Sequence, residues 1–181
     1  TEDTARIIAL ETGEIDIAET VPATDLTRVK DNTELDLLTI PGMVLTYWAF
    51  NTQAEPFTNL KVRQAMNFAV DREAVTIAAT NNNGFSGKTV LGVGMEGYYD
   101  GMEGYSYDPE KAKELLAEAG YPNGFSADLY VKSTDSNTML ASQVIQANLA
   151  EIGVQLDIVT LESTALMASI NEGKQKTYIL T

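Results

Sequence analysis

The sequence contains neither cysteine nor histidine among its 181 residues. It therefore offers no thiol nucleophile, no histidine-based triad or proton shuttle, and few of the usual zinc ligands. No run of about 18 apolar residues is present, so no segment is predicted to cross a membrane. No charged segment followed by an apolar one opens the sequence, so we expect no secretion signal within it.

The charge balance is strongly acidic, with 26 Asp and Glu against 12 Lys and Arg, a formal net charge of −14. Nucleic-acid backbones and anionic lipid headgroups would be repelled, so neither is an expected partner. Such a surface also keeps a protein soluble without any specific ligand. Apolar residues make up 44% and charged residues 21%, which is typical of a packed globular chain with one sizeable core.

The first part of the chain alternates short helical and extended patterns. Gly13 is predicted to end a helix, because glycine readily adopts positive φ. Strands are predicted over residues 15–18, 35–40 and 46–51, the last being rich in aromatic side chains. Helices are predicted to begin after Asn59 and Asp71, both of which are good N-cap residues.

The second part carries the clearest patterns. Asp108 and Pro109 suit the N-cap and first turn of a helix that ends at Gly120. Beyond this helix, apolar residues recur alternately with the two-residue spacing of a strand and the spacing of a helix. The order strand, helix, strand, helix, strand predicts an α/β layer with right-handed crossovers. Residues 84–104 are glycine-rich and aperiodic, so we expect an exposed, mobile loop with little regular structure.

Four segments resemble one protein family in order and approximate spacing. They are residues 9–17 (ALETGEIDI), residues 47–72 with FNTQAEPF and VRQAMNFAVDR, residues 107–125 (YDPEKAKELLAEAGYPNGF) and residues 145–154 (IQANLAEIGV). Together they resemble the family 5 solute-binding proteins of ABC importers, which include dipeptide, oligopeptide and nickel receptors. Asn59 stands where the family often has Asp, which exchanges one good N-cap for another.

The resemblance implies an α/β fold of the periplasmic-binding-protein-like class (type II, cluster C-like). The chain would form one lobe, with βαβ units and a mixed sheet, together with a short piece of the other lobe. Residues 1–45 would belong to lobe I and the crossover between lobes. Residues 46–181 would form lobe II, the peptide-binding lobe. We expect a fragment of a longer protein, because family members continue beyond Thr181 into a loop that binds the ligand's ammonium group in dipeptide receptors.

The function implied is that of a receptor which captures peptides outside the cytoplasmic membrane and delivers them to permease subunits as two lobes close. We expect a monomer, held at the membrane by a lipid anchor outside these residues, with no cofactor, no bound metal and no enzymatic activity. A nickel chelate, haem, an opine or a sugar are alternative ligands on the same scaffold.

Five residues are candidate ligand contacts. Lys132 ends a strand that leads into a helix, where ligands sit in α/β sheets, and it approximates the position of a carboxylate-binding arginine in dipeptide receptors. An ordinary surface lysine is the slightly favoured alternative. The strand that crosses between lobes in the family carries Tyr47, Trp48 and Asn51. These side chains could form an aromatic wall of the ligand cleft or belong to the ordinary core, and both interpretations are open. Asp135 could line the cleft, although a capping role for the following helix is favoured.

Two hypotheses from other functional classes compete with the receptor. The acidic stretch at residues 100–103 could hold calcium in an extracellular structural module, but the register of a calcium-binding loop is absent. A hydrolase that uses a pair of carboxylates needs no histidine, yet abundant acidic residues do not define such a pair.

Overall fold

A computed structural model describes residues 2–19, 21–22, 25–40, 42 and 44–181. The chain divides into two compact units, Thr1–Pro41 and Gly42–Thr181.

The first unit contains helices α1 (Glu2–Glu11) and α2 (Leu26–Asp31). Gly13 follows α1 with φ of +74°, as its predicted role in ending the helix requires. Arg28 of α2 pairs with Glu11 at 3.0 Å and with Asp25 at 3.4 Å. These ion pairs connect the end of α1 with the start of α2.

The strands predicted over residues 15–18 and 35–40 are wrong, since both segments are irregular. Ile17 is 85% exposed and Leu38 is 84% exposed, so neither segment has a buried apolar face. An extended segment becomes a strand only where a neighbour accepts its backbone hydrogen bonds. Among the described residues of the first unit no strand is present to do so.

The second unit contains four strands and five helices among its described residues. They are β1 (Tyr47–Phe50), α3 (Leu60–Ala69), α4 (Arg72–Thr80), α5 (Pro109–Glu118), β2 (Ser126–Lys132), α6 (Ser136–Ala150), β3 (Gln155–Leu161), α7 (Ser163–Asn171) and β4 (Thr177–Leu180). The predicted alternation of strand and helix in the second part of the chain is confirmed as β2, α6, β3, α7 and β4.

The four strands form one mixed sheet in the order β1, β4, β2, β3. β2 runs parallel to both β3 and β4, while β1 runs antiparallel to β4. α6 packs against β2 and β3, and α7 packs against β2. The predicted mixed sheet of an α/β lobe is therefore confirmed.

The core follows the two-residue period of β2. Ala127, Leu129 and Val131 are buried, while Asp128 and Lys132 are exposed. Apolar residues of α3, α5 and α6 complete this core. An aromatic series extends it, with successive ring centroids 4.5 to 5.9 Å apart, through Trp48, Phe50, Phe57, Phe125 and Tyr121.

Four helices of this unit begin with a polar side chain that accepts a backbone hydrogen bond. The caps are Asn59 for α3, Asp71 for α4, Asp108 for α5 and Asp135 for α6. Such a cap satisfies one of the free N–H groups at the start of a helix and typically stabilises it by about 0.5–2 kcal/mol. The predicted caps are confirmed.

Residues 84–104 contain no helix or strand and are mostly exposed, which confirms that part of the prediction. Tight turns occur within the segment, for example from Tyr98 N–H to the carbonyl oxygen of Met95 at 3.0 Å. Its exposed large side chains include Phe85, Val90 and Tyr99. The mobility of the segment stays a prediction.

Candidate functional site

The site begins with the direction of the strands. Because β2, β3 and β4 are parallel, their carboxyl ends share one edge of the sheet. β1 runs the other way, so its first residue, Tyr47, lies at that same edge opposite Leu180. Lys132 pairs with Leu161 there. Ligands of α/β sheets commonly sit at this carboxyl edge.

Lys132 is exposed at the last position of β2 and makes no ion pair with any described residue. The loop that follows is tied down by its backbone. Ser133 N–H donates to the carbonyl oxygen of Leu161 at 2.8 Å, and Asp135 N–H donates to that of Lys132 at 3.2 Å. The ammonium group therefore extends from a fixed backbone into solvent.

Asp135 caps α6 through one carboxylate oxygen. Its Oδ1 accepts hydrogen bonds from the backbone nitrogens of Asn137 at 3.1 Å and Thr138 at 3.0 Å. The favoured capping role is confirmed. Its negative charge lies within three residues of Lys132, so the edge carries both signs of charge.

Tyr47 and Trp48 point to opposite faces of β1, as neighbours on a strand must. Tyr47 is 44% exposed. Trp48 packs against the core, with its ring centroid 4.5 Å from that of Phe50. Its indole N–H donates to Oγ1 of Thr177, and that hydroxyl donates to the carbonyl oxygen of Ala49 at 2.8 Å.

Asn51 follows the far end of β1, away from the carboxyl edge. Its N–H donates to the carbonyl oxygen of Lys176 at 2.8 Å, and its Nδ2 donates to that of Gly173 at 3.2 Å. Its Oδ1 accepts from Gln53 N–H at 3.0 Å. The structure thus gathers Tyr47, Lys132 and Asp135 at one edge, while Asn51 stabilises a turn at the opposite end.

Two tyrosines share the face of Lys132 and were missed from the sequence. Tyr130 precedes Lys132 by two residues on β2. Tyr178 of β4 is the direct cross-strand partner of Tyr130. Partial burial raises the pKa of Tyr130, and its hydrogen bond of 3.1 Å to Oδ2 of Asp128 raises it further. The two-residue period indicated Tyr130, but only the pairing of β2 with β4 brings in Tyr178.

A cavity of about 560 Å³ lies elsewhere, between the start of α4 and the two ends of the glycine-rich stretch. Arg72 lines it and donates to the carbonyl oxygen of Tyr105 at 2.6 Å and to Oδ1 of Asn67 at 2.8 Å. Desolvation by burial lowers the pKa of Arg72. None of the five candidate residues lines this cavity. The guanidinium group of Arg72 is already engaged by these two hydrogen bonds.

Arg63 has a similar structural role. Its Nη1 donates to the carbonyl oxygens of Phe57 at 2.8 Å and Thr58 at 3.1 Å, so it stabilises the turn before α3. Within the described ranges there is no group of three or more acidic residues arranged to hold a metal ion. Nor does any described helix have the length and apolar character needed to span a bilayer.

The family model of bacterial extracellular solute-binding proteins, family 5 Middle, matches residues 1–180. This chain belongs to that family. The resemblance seen in the four sequence segments is therefore confirmed. The motifs of these segments lie mostly in the caps and packing faces of α3 to α6, so they mark the scaffold of the family more than its ligand contacts.

Two curated relatives are considerably longer than this chain. Heme-binding protein A of Haemophilus influenzae is 39% identical over 175 residues, which cover 94% of this chain and 32% of that protein. The dipeptide-binding protein of Escherichia coli is 36% identical over 160 residues, covering 86% of this chain and 30% of that protein. The chain spans about a third of the length of these curated relatives.

A solved structure of a periplasmic binding protein shares the fold. The periplasmic binding protein DppA of Helicobacter pylori, in complex with the peptide STSA, matches with a TM-score of 0.80 and 29% identity. The match covers 98% of this chain and 34% of that one. The periplasmic-binding-protein-like fold expected from the sequence is confirmed.

Proposed function

We propose that this chain is part of a substrate-binding receptor of an ABC importer, which captures peptides outside the cytoplasmic membrane and delivers them to permease subunits. Membership of family 5 carries the proposal. The acidic surface and the absence of histidine and cysteine agree with a binding protein that performs no catalysis. The relatives named above are likewise described as binding proteins.

The proposed receptor closes two lobes around its ligand. We assign residues 1–45 to lobe I and the crossover between lobes, and residues 46–181 to lobe II. The division of the chain into compact units at Pro41 and Gly42 supports a boundary in this region. Both the lobe assignment and the closing motion are proposals about the longer protein.

The ligand surface that we propose on lobe II is the carboxyl edge of the sheet. Lys132 would bind an anionic group such as a peptide carboxylate, and Tyr47 would supply an aromatic wall. Asp135 would hold the loop after β2 and add a negative charge beside Lys132. Trp48 and Asn51 would act indirectly, by stabilising the two ends of β1 through the bonds described above.

Peptide is the preferred ligand class, because a dipeptide-binding relative and a peptide complex are among the matches. Haem is the second candidate, since a relative that is 39% identical is called a heme-binding protein. The two ligands make different demands. A peptide needs partners for its charged ends and backbone, whereas haem needs a broad apolar surface for its ring.

Calorimetric titration of the full-length protein with dipeptides, tetrapeptides and haem tests the proposal. Lys132→Ala should weaken peptide binding about ten- to hundredfold, because a charge-assisted hydrogen bond is worth about 1.5–3 kcal/mol. Lys176→Ala is the matched control, since Lys176 is exposed at the opposite end of the sheet. Failure to bind any peptide, or equal losses from both substitutions, would contradict the proposal.

Localisation and partners need a separate test. We propose that the receptor works outside the cytoplasm, as its family description suggests. Deletion of its gene should abolish peptide uptake by intact cells without affecting intracellular peptidase activity. Peptide uptake that persists unchanged in a strain with no other family 5 receptor would argue against the transport role.

A further inference from the structure

We propose that Asn83–Gly84 is a site of spontaneous deamidation in the folded protein, and that the fold protects the same dipeptide at Asn123–Gly124. These are the two places in the sequence where asparagine precedes glycine. Glycine has no side chain to hinder attack by its backbone nitrogen, so this dipeptide is intrinsically prone to the reaction. The modification does not depend on the proposed ligand or on transport.

The reaction is a ring closure followed by hydrolysis. The backbone nitrogen of Gly84 loses its proton to a base in solvent and attacks Cγ of Asn83, forming a new C–N bond. The bond from Cγ to Nδ2 breaks, and the NH2 group leaves as ammonia after taking one proton from solvent. Water then opens the cyclic imide at one of its two carbonyl carbons, which leaves aspartate or isoaspartate at position 83. No oxidant or reductant takes part.

The nucleophile at Asn83–Gly84 is not packed against another backbone, because the atoms nearest to a Cβ added to Gly84 are side-chain atoms, of Thr80 at 2.8 Å and of Thr76 at 3.2 Å. Asn83 is exposed, and the backbone nitrogen of Gly84 makes no hydrogen bond with any described residue. Nδ2 of Asn83 donates to the carbonyl oxygens of Thr80 at 3.3 Å and Asn81 at 2.9 Å. These bonds are exposed, so water can replace them as the side chain turns toward the Gly84 nitrogen.

The backbone at Asn123–Gly124 is held from both sides. Gly124 N–H donates to the carbonyl oxygen of Tyr121 at 3.0 Å. A Cβ added to Gly124 would overlap the carbonyl group of Gly153, so the two backbones are in close contact. Ring closure would require this peptide to rotate and the two packed turns to separate. The same dipeptide therefore meets a higher barrier here.

Deamidation at Asn83 would alter the end of α4. The amide that donates to two carbonyl oxygens would become a carboxylate that cannot donate to either. A negative charge would also be placed beside the negative end of the helix dipole. The last turn of α4 contains no basic residue to offset it. Deamidated protein should therefore begin to unfold at a lower temperature than fresh protein.

Peptide mapping by mass spectrometry, after incubation of the folded protein in mildly alkaline buffer, measures both sites in one sample. Asn83 should convert about tenfold faster than Asn123, because the attacking N–H of Gly124 must first break its hydrogen bond to the carbonyl oxygen of Tyr121, which can slow a reaction by about a decade. In urea, where the contact with Gly153 is lost, the two rates should converge.

Two variants make the assignment specific. Asn83→Gln should abolish the fast conversion, since the longer side chain would have to close a larger ring. Asn123→Gln, at the protected site, is the matched control and should leave the conversion at Asn83 unchanged. Equal rates at Asn83 and Asn123 in the folded protein, or a tenfold difference that persists in urea, would overturn the proposal.

Discussion

The side-chain Oδ1 of Asn148 on α6 accepts a hydrogen bond of 3.1 Å from the backbone nitrogen of Asp71. Asp71 caps α4, accepting from Ala74 N–H at 3.0 Å, and its own N–H has no partner within that helix. The bond therefore joins the junction of α3 and α4 to a helix 77 residues further along the chain. Asp71 belongs to the AVDR motif and Asn148 to the IQANL motif, so this hydrogen bond connects two of the segments that resemble the family.

Asn148→Ala should destabilise the second unit by about 1–3 kcal/mol, because it leaves a partly buried N–H without an acceptor. Asn148→Asp should cost less, since a carboxylate oxygen can accept the same bond. Gln143→Ala, on an exposed position of the same helix, is the control and should change little. Urea unfolding measures the stability of all three variants. An unfolding midpoint of Asn148→Ala equal to that of Gln143→Ala would show that this hydrogen bond does not stabilise the protein.

Gly124 and Gly120 should respond differently to substitution by alanine. Both have positive φ, +75° and +91°, but a Cβ at Gly120 meets nothing within 4 Å. Gly120→Ala should cost about 1–2 kcal/mol from backbone strain alone. Gly124→Ala adds overlap with the backbone of Gly153 and should cost about 1–3 kcal/mol more. Similar unfolding midpoints for the two variants would show that the close contact yields easily.

Thr177 can be tested through the single tryptophan. Thr177→Val preserves the shape of the side chain but removes the acceptor for the indole N–H of Trp48, and should cost about 1–3 kcal/mol. Thr177→Ser keeps the hydroxyl and should cost less, since it removes only a buried methyl group. Because Trp48 is the only tryptophan, its emission reports the change directly. Identical emission spectra for Thr177→Val and the wild type would contradict the hydrogen bond.

The hydrogen bond from Lys61 to Glu118, 2.9 Å long, lowers the pKa of Glu118 below its usual value, and the charge of Lys111 lowers it slightly further. A lowered carboxyl pKa adds stability above the usual pKa, which is lost as the pH falls through the lowered value. Lys61→Met should therefore raise the pKa of Glu118, and Lys111→Met should raise it less. NMR titration of the carboxyl carbon measures both, and a larger rise from Lys111→Met would contradict this order.

Residues 84–104 should exchange amide hydrogens much faster than α5. Few of their N–H groups are bonded within regular structure, whereas α5 has a cap at Asp108 and three buried apolar residues. Hydrogen exchange followed by mass spectrometry compares the two segments in one experiment. Exchange in residues 84–104 as slow as in α5 would mean that the segment is held by contacts stronger than its turns.

The sequence by itself determined the local features of this protein. Asp71 and Asp108 were recognisable as caps, because a cap depends on a side chain and the N–H groups two or three residues later. The helix over Pro109–Glu118 and the alternation in β2 follow equally from the spacing of nearby apolar residues. The four family segments could be read for the same reason, since most of their residues serve caps, helix faces and turns.

The tertiary structure alone decided what depends on distant partners. Residues 15–18 and 35–40 have strand-like sequences, yet they remain irregular, and the described part of their unit contains no strand to pair with them. The face of Trp48, the place of Asn51 far from Lys132, and the meeting of Tyr130 with Tyr178 all depend on how β4 enters the sheet. Strand pairing joins residues far apart in sequence through backbone groups that every residue carries, so no local pattern specifies it.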